Sequence, residues 1–164
     1  MSDAICNTSP LLYLYRIGTI EWLPKLFDEV WTPTAVAIEL GEGKLRGHDV
    51  PDPERYAWLT IVDPSSMPSE WFSLDLGAGE LSAMALALEN PSRVLLLDDA
   101  LARRTAQAAG LNVWGCLRVL LEAKSQGLTN AIAPLIPRIQ DAGLWMSEEI
   151  KQRILALAGE ANDQ

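Results

Sequence analysis

The stretch that most constrains the fold is an apolar run that ends in two acids. Residues 94–97 (Val-Leu-Leu-Leu) lead directly into Asp98 and Asp99, and an alanine-rich segment with helical spacing follows at once. A short, unbroken apolar run is typical of a strand that is covered on both faces, as in a parallel sheet. The run therefore predicts a buried strand that turns straight into a helix, with both acids at the carboxyl edge of the sheet. Ligands bind at that edge in open α/β sheets, although capping of the helix explains one Asp without any ligand.

The start of the chain predicts the same arrangement. A short strand at residues 4–6 is followed by Asn7, Thr8, Ser9 and Pro10. Ser before Pro is a common helix start, so we expect Ser9 to be the N-cap. Asn7, Thr8 and Ser9 then follow the first strand in the same way that Asp98 and Asp99 follow the strand at residues 94–97. A capping loop of this composition is also common, and these three residues alone do not identify a site.

Two more acids lie on predicted helices. Glu39 follows a Thr-Pro helix start among apolar neighbours, and we expect its helix to stop at Gly41. Glu39 is either at the solvated edge of that helix or turned inward. Glu80 lies in the first turn of a helix that Gly77 and Gly79 open, where an acid complements the helix dipole. The two glycines also suggest a close backbone approach that directs the Glu80 carboxylate.

Strands alternate with helices along the whole chain, which predicts an α/β fold with a central parallel sheet. Gathering Glu39, Glu80, Asp98 and Asp99 in one crevice is unfavourable, because two charges about 4 Å apart repel by roughly 4 kcal/mol at a protein surface. A divalent cation reverses the sign of that energy. Oxygen ligands without His or Cys favour Mg²⁺ or Mn²⁺.

Length and charge limit the remaining choices. The 164 residues predict one domain, 1–164, and the net charge of −9 argues against binding of nucleic acid over the whole surface. Nucleic acid would have to bind a local basic patch instead. Arg103 and Arg104 are either phosphate contacts in such a patch or ordinary solvated helix residues. No apolar run reaches the length of a membrane helix, and no signal peptide begins the chain, so we expect a cytoplasmic protein. Cys6 and Cys116 lack metal-type spacing and are predicted to be buried free thiols.

Five segments of the chain, taken in order, resemble the motifs of a known family. They are Asn7-Thr8-Ser9-Pro10-Leu11, Trp31-Thr32-Pro33-Thr34-Ala35-Val36 to Glu39-Leu40, Gly79-Glu80-Leu81-Ser82-Ala83-Met84-Ala85-Leu86-Ala87, Leu97-Asp98-Asp99-Ala100-Leu101-Ala102-Arg103 and Ala123-Lys124-Ser125-Gln126-Gly127-Leu128. The family is a PIN-like domain of prokaryotes, formerly a domain of unknown function, that is grouped with VapC-type toxins. The resemblance spans about residues 4 to 160. It implies a PIN-like three-layer fold, in which helices flank a central parallel sheet that carries an acidic metal site.

The resemblance also implies an activity and its residues. It implies a metal-dependent ribonuclease, often the toxin of a type II toxin–antitoxin pair and often a dimer. Matched by position, Glu39, Glu80 and Asp99 are the later family acids, with Asp98 a close alternative to Asp99. Thr8 and Ser9 match hydroxyl residues that follow the first acid, and the resemblance makes them candidate substrate-binding residues. The chain departs from the family at Asn7, where an aspartate is expected.

Three functions remain open at this point. The first is an endoribonuclease in which a water activated by Mg²⁺ or Mn²⁺ attacks the RNA phosphodiester. The implied catalytic residues are Glu39, Glu80, Asp98 and Asp99, and the implied metal ligands are Asn7, Glu39, Glu80 and Asp99. The second is a catalytically weak or inactive PIN-like module that binds RNA or protein. The third, a phosphoacceptor receiver domain, fits poorly, because the acid pair of a receiver follows its first strand.

The charge and the aromatic residues also suggest partners. The chain contains six tryptophans, of which Trp71 and Trp145 fall in predicted loops or near the terminus. An apolar and acidic surface of this kind can hold another chain. We expect a homodimer and an antitoxin-like partner whose basic segment lies across the acidic crevice.

Overall fold

The computed structural model describes residues 2–161, in which eight helices surround a five-stranded sheet. The strands are β1 (Ser2–Cys6), β2 (Phe27–Thr32), β3 (Leu59–Ile61), β4 (Val94–Leu96) and β5 (Val113–Trp114). The helices are α1 (Thr8–Arg16), α2 (Leu23–Leu26), α3 (Thr34–Leu45), α4 (Ala78–Glu89), α5 (Ala100–Ala108), α6 (Cys116–Ser125), α7 (Leu135–Ala142) and α8 (Glu148–Leu157). Short 3₁₀ helices occupy Ile20–Trp22, Pro53–Arg55 and Ser69–Ser73. Residue 1 and residues 162–164 of the predicted domain lie outside the described residues.

All strands are parallel, and the order in the sheet is β3-β2-β1-β4-β5. The predicted α/β fold with a central parallel sheet flanked by helices is therefore confirmed. β1 is the middle strand, and its Cys6 pairs with Leu96 of β4. The residues that follow these two strands consequently leave the sheet side by side at the carboxyl edge.

Side chains of the two central strands alternate between two apolar cores, one on each face of the sheet. Ala4 and Cys6 face the core that α1, α3, α6 and α7 cover, whereas Ile5 faces the core that α4 and α5 cover. Leu96 and Leu95 of β4 divide in the same way. This period of two is the geometry of a strand buried on both faces. The helix after β1 and the helix after β4 lie on opposite faces, so a crevice opens between them at the carboxyl edge.

Several predicted boundaries were wrong, and each has a local cause. Helix α1 begins at Thr8, so its N-cap is Asn7 and not Ser9. The sequence predicts a helix from Thr19 to Phe27, but the structure has a 3₁₀ turn followed by the short α2, and Phe27 already belongs to β2. Phe27 is buried in the core beneath the sheet, and its burial favours the strand.

Gly41 does not stop α3, which continues to Leu45. Helix α3 ends where Gly47 adopts a φ of +83° and the N–H of His48 donates to the carbonyl of Gly43 at 3.0 Å. A glycine inside a helix costs only about 0.5–1 kcal/mol, and the buried Val36 and Leu40 hold this helix against the core. The sequence also predicts an edge strand at residues 59–62 and a helix that Gly110 ends. Both predictions were right, since β3 lies at an edge of the sheet and Gly110 follows α5 with a φ of +83°.

The predicted state of the two cysteines was also right. Cys6 and Cys116 are both buried and both free thiols. Within residues 2–161, no helix is both long enough and apolar enough to cross a membrane.

Candidate active site

An acidic cleft of about 510 Å³ opens at the carboxyl edge, between the ends of β1 and β4. The strand ends contribute residues 7–9 and 98–100, and α3 and α4 contribute one glutamate each. The segment 143–145, between α7 and α8, forms the opposite rim. The cleft is lined by Asn7, Thr8, Ser9, Tyr13, Glu39, Gly77, Glu80, Asp98, Asp99, Ala100, Gly143, Leu144 and Trp145.

Asn7 lies at the floor of the cleft and is only 2% exposed. Its backbone N–H donates to the carbonyl of Leu96 at 3.1 Å, which fixes the residue where β1 leaves the sheet. Its side-chain oxygen Oδ1 is buried and accepts no hydrogen bond within the described residues. A buried oxygen without a donor costs about 1–3 kcal/mol, so this atom is suited to a ligand that supplies positive charge or a proton.

Glu39 is turned inward and connects α3 to the start of α4. Its Oε1 accepts the backbone N–H of Gly79 at 2.9 Å, and its Oε2 accepts the hydroxyl of Thr8. A Cβ on Gly79 would lie 2.8 Å from both carboxylate oxygens. The close approach predicted from the two glycines therefore exists, but Gly79 makes room for Glu39 rather than directing Glu80.

Glu80 is partly buried beside two other carboxylates. Its Oε1 accepts the N–H of Gly77 at 3.0 Å. Burial raises the pKa of Glu80 above its usual value, and the charges of Asp99 and Glu39 raise it further, while the Gly77 N–H opposes the shift. Glu80 is therefore close enough to both Asp99 and Glu39 to be repelled by their charges.

Asp98 and Asp99 point to different partners. Asp98 accepts the N–H of Cys116 at 2.8 Å and the Cys116 thiol at 2.9 Å. A Cβ on Gly115 would lie 2.9 Å from Asp98 Oδ1 and 3.1 Å from Arg103 Nη1, so glycine is needed for this contact. Burial raises the pKa of Asp98, although the hydrogen bonds from Cys116 and the charge of Arg103 oppose the shift.

Asp99 is the N-cap of α5 and is more exposed than Asp98. Its Oδ1 accepts the N–H of Ala102 at 2.9 Å. The hydrogen bonds to Asp99 and to Glu80 use Oδ1 and Oε1 respectively, which leaves the second oxygen of each open to another ligand.

No preassembled metal cluster of three His, Cys, Asp or Glu side chains occurs within residues 2–161. Each carboxylate instead accepts a backbone N–H at a helix start: Glu39 and Glu80 at α4, Asp99 at α5 and Asp98 at α6. The donor set nevertheless fits a hard divalent cation. It combines the unpartnered Asn7 carbonyl oxygen with carboxylate oxygens that line the same cleft, which are the ligands that Mg²⁺ prefers.

The residues predicted from the sequence divide between two places. Asn7, Thr8, Ser9, Glu39, Glu80, Asp98 and Asp99 all line the cleft. Arg103 and Arg104 line a neighbouring groove instead. Trp145 is 83% exposed at the rim, as a partner surface requires, but Trp71 is buried in the core formed with α4 and α5. The prediction that Trp71 contributes to a partner surface was therefore wrong.

Tyr13 also lines the cleft, and the sequence analysis did not single it out. It follows Ser9 by one helical turn, so its place on the same face of α1 was available from the helical period. Burial raises the pKa of the Tyr13 hydroxyl, and a hydrogen bond with Ser9 opposes the shift. Ser9 and Thr8 therefore both interact with other residues of the cleft, Ser9 with Tyr13 and Thr8 with Glu39.

A protein-family model described as a PIN domain matches residues 3–160. This chain belongs to the PIN domain family. PIN domains are generally nucleases, and they typically bind RNA and use divalent metal ions. No curated protein sequence matches the chain.

The PIN fold is also found in a similar solved structure. That structure is a PilT N-terminus domain protein from the hyperthermophilic archaeon Sulfolobus solfataricus P2. It aligns with a TM-score of 0.51 and 17% sequence identity, over 74% of this chain and 92% of the archaeal chain. At this identity the similarity extends to the fold.

The contact between Gly79 and Glu39 gives a test of the cleft geometry. Gly79→Ala would place a Cβ 2.8 Å from the Glu39 carboxylate and displace it from the Gly79 N–H. We expect the free energy of unfolding to fall by about 1–3 kcal/mol, as for other overpacked sites. Gly77→Ala is the matched control, because its Cβ would lie at ordinary contact distances of 3.5 Å and 3.9 Å from Glu80 and Glu39. Equal urea-unfolding free energies for the two variants would contradict the described position of Glu39.

Proposed function

We propose that this PIN domain is a metal-dependent endoribonuclease and the toxin of a type II toxin–antitoxin pair. The observation that carries the proposal is the unpartnered Oδ1 of Asn7, which is buried in a cleft that four carboxylates line. A buried acceptor surrounded by acids is unfavourable for the protein alone and favourable once a cation binds. The membership of a family that generally consists of nucleases supports the same function.

The residues that would hold Mg²⁺ or Mn²⁺ are Asn7, Glu39, Glu80 and Asp99. A bound divalent cation would supply a positioned water and positive charge opposite the RNA phosphodiester. We assign Asp99 rather than Asp98 as the direct ligand, because Asp99 lies close enough to raise the pKa of Glu80. Asp98 has both oxygens engaged by Cys116 and is assigned to positioning the cleft wall.

Thr8 and Ser9 act on the protein's own groups in this proposal. The Thr8 hydroxyl donates to Glu39 and orients that carboxylate toward the cleft. Ser9 and Tyr13 line the cleft one helical turn apart on α1, so Ser9 would help to place the ring at the cleft wall. The substrate-binding role predicted for Thr8 and Ser9 thus becomes one of orienting the residues around the substrate.

Two observations favour a second function. Asn7 replaces an acid with a neutral amide, and the carboxylates do not form a preassembled metal cluster within residues 2–161. Both features weaken cation binding. They support a PIN-like module that binds RNA or protein and cleaves weakly or not at all.

Metal-dependent cleavage separates the two functions. Protein stripped with EDTA is incubated with single-stranded RNA, and Mg²⁺ or Mn²⁺ is then added back. We expect cleavage only after metal addition, and faster cleavage with Mn²⁺ than with Mg²⁺. Asp99→Asn keeps the volume and the cap acceptor but removes the charge, so it should reduce cleavage by roughly 10-fold or more without a loss of folding.

Asp141→Asn is the matched control for this experiment. Asp141 is exposed on α7 and lies outside the cleft, so the same change should leave cleavage unaltered. Cleavage by Asp99→Asn at the parent rate would refute the assignment of Asp99. Absence of cleavage by the parent with either metal would favour the binding module.

Position 7 gives a prediction that does not depend on activity. Asn7→Asp should tighten divalent-ion binding, because it adds a charge beside the other carboxylates. The same charge should lower the metal-free stability, by an amount on the order of 1–4 kcal/mol for one close pair. Calorimetric metal titration and thermal unfolding in EDTA measure the two effects on parent and variant.

Asn130→Asp serves as the control for this change, since Asn130 is exposed and outside the cleft. The proposal expects the two effects at position 7 to appear together and neither to appear at position 130. Unchanged metal affinity with unchanged melting in Asn7→Asp would mean that residue 7 does not face the acidic cluster.

The proposed partners follow from charge and exposure. The net charge of −9 and the acidic cleft support an antitoxin-like protein whose basic segment covers the cleft. The exposed Leu45 and Phe72, which lie outside the cleft, support a further protein contact, which we propose to be a homodimer. Light scattering at tens of micromolar should give twice the chain mass, and a co-expressed neighbouring gene product should inhibit cleavage. A monodisperse monomer, or the absence of any inhibiting neighbour, would contradict the respective partner.

A further inference from the structure

A second groove adjoins the acidic cleft and carries the opposite charge. It has a volume of about 580 Å³ and runs between α5, α6 and α8. Its floor is apolar, with Leu117 and Leu121 from α6 and Ile154 from α8. The groove and the cleft share Asp98, Ala100, Leu144 and Trp145. A chain that leaves the cleft on this side therefore enters the groove directly. We call it the arginine groove.

The charge of the arginine groove is unusual for this protein. Within residues 2–161, four arginines line it and Asp98 is the only acid that does, and Cys116 engages both Asp98 oxygens. The whole chain, by contrast, has 22 acidic and 13 basic residues. The four are Arg103, Arg104, Arg118 and Arg153. Because the protein as a whole is negative, nucleic acid needs a local positive surface to bind. The arginine groove provides such a surface.

Arg104 is the most available of these guanidinium groups. Arg118 pairs with Glu122 at 3.2 Å, and Arg153 pairs with Glu149 at 3.7 Å. Arg103 lies beside Asp98, whereas Arg104 is exposed and has no ion pair within residues 2–161. An unpaired arginine at the groove wall is free to contact a phosphate.

Trp145 stands at the junction of the two cavities. It is 83% exposed, whereas the other five tryptophans are buried or partly buried. An exposed indole offers a flat apolar face, and bases of single-stranded RNA stack on such faces whatever their sequence. Bases within a duplex are already stacked on their neighbours, so this contact favours unpaired RNA.

We propose that the arginine groove binds the single-stranded RNA segment adjacent to the phosphodiester in the cleft. A base stacks on Trp145, a neighbouring phosphate contacts Arg104, and the apolar floor receives further base or ribose surface. This assignment rests on the proposed ribonuclease function, because RNA is the polyanion in question. An acidic amphipathic helix would also suit the apolar floor. The continuity with the cleft and the exposed indole at the junction favour RNA.

The test measures RNA binding separately from cleavage. Fluorescence anisotropy follows a labelled single-stranded RNA of about eight nucleotides, within the site size of one binding module, on the full chain in EDTA. Trp145→Ala should weaken binding about 5-fold or more, as expected for the loss of one stacked base, and Trp145→Phe should restore most of it. Arg104→Ala should reduce the slope of log affinity against log salt by about one.

Two matched variants control for unspecific effects. Phe72 is 71% exposed and Arg46 is exposed, and neither lines the cleft or the arginine groove. Phe72→Ala and Arg46→Ala should therefore bind RNA like the parent. A blunt-ended RNA duplex should bind independently of Trp145. All variants change exposed side chains, and equal thermal melting shows that they fold.

The outcomes distinguish this inference from the proposed function. Binding that depends on Trp145 and Arg104, without cleavage in Mg²⁺ or Mn²⁺, supports the groove and refutes the nuclease. Parent-like RNA binding by Trp145→Ala and Arg104→Ala overturns the groove assignment, whether or not RNA is cleaved. Loss of self-association or of partner binding in these variants, with RNA binding intact, overturns it in favour of a protein interface. RNA that does not bind the parent at tens of micromolar overturns it as well.

Discussion

The parallel pairing of β1 with β4 is the constraint on which the rest of the site depends. The pair aligns Cys6 with Leu96, and the N–H of Asn7 continues the ladder to the Leu96 carbonyl. Asn7 and the Asp98–Asp99 pair therefore leave the sheet next to each other. Because α1 and α5 then pack on opposite faces, nothing fills the space between them. A cleft at this point is a consequence of the strand order rather than of any single side chain.

The carboxylates of the cleft are held by helix starts rather than by one another. The first turn of α4 donates to Glu39 and its N-cap donates to Glu80, while α5 donates to Asp99 and α6 donates to Asp98. Helix N-termini carry partial positive charge, and each such contact stabilises a carboxylate by about 0.3–1 kcal/mol, or up to about 2 kcal/mol when partly buried. Three helices thus supply the compensation that repelling acids need. This arrangement also explains how the acids share a cleft without forming a closed cluster.

The sequence revealed those parts of the site that are local in the chain. The apolar run before Asp98, the capping role of Asp99 and the helix start at Gly77 and Gly79 all depend on neighbouring residues. The contacts that complete the site join residues far apart, such as Glu39 with Gly79, 40 positions on, and Asp98 with Cys116, 18 positions on. Local propensity contains no information on such pairs. Local propensity also predicted that Gly41 ends its helix, which was wrong because tertiary packing of Val36 and Leu40 outweighs the cost of a glycine in α3.

The same distinction explains why position 7 differs chemically from the other acid positions. Glu39, Glu80, Asp98 and Asp99 each receive a backbone N–H, but the side-chain oxygen of Asn7 receives none within the described residues. Asn7 is the N-cap of α1, but its side chain makes no capping hydrogen bond. An aspartate in the same position, with 2% exposure, would have little water and no backbone N–H to offset its charge. Its stability would depend more strongly on a bound cation than that of an amide does. The asparagine therefore favours stability without the cation over affinity for it.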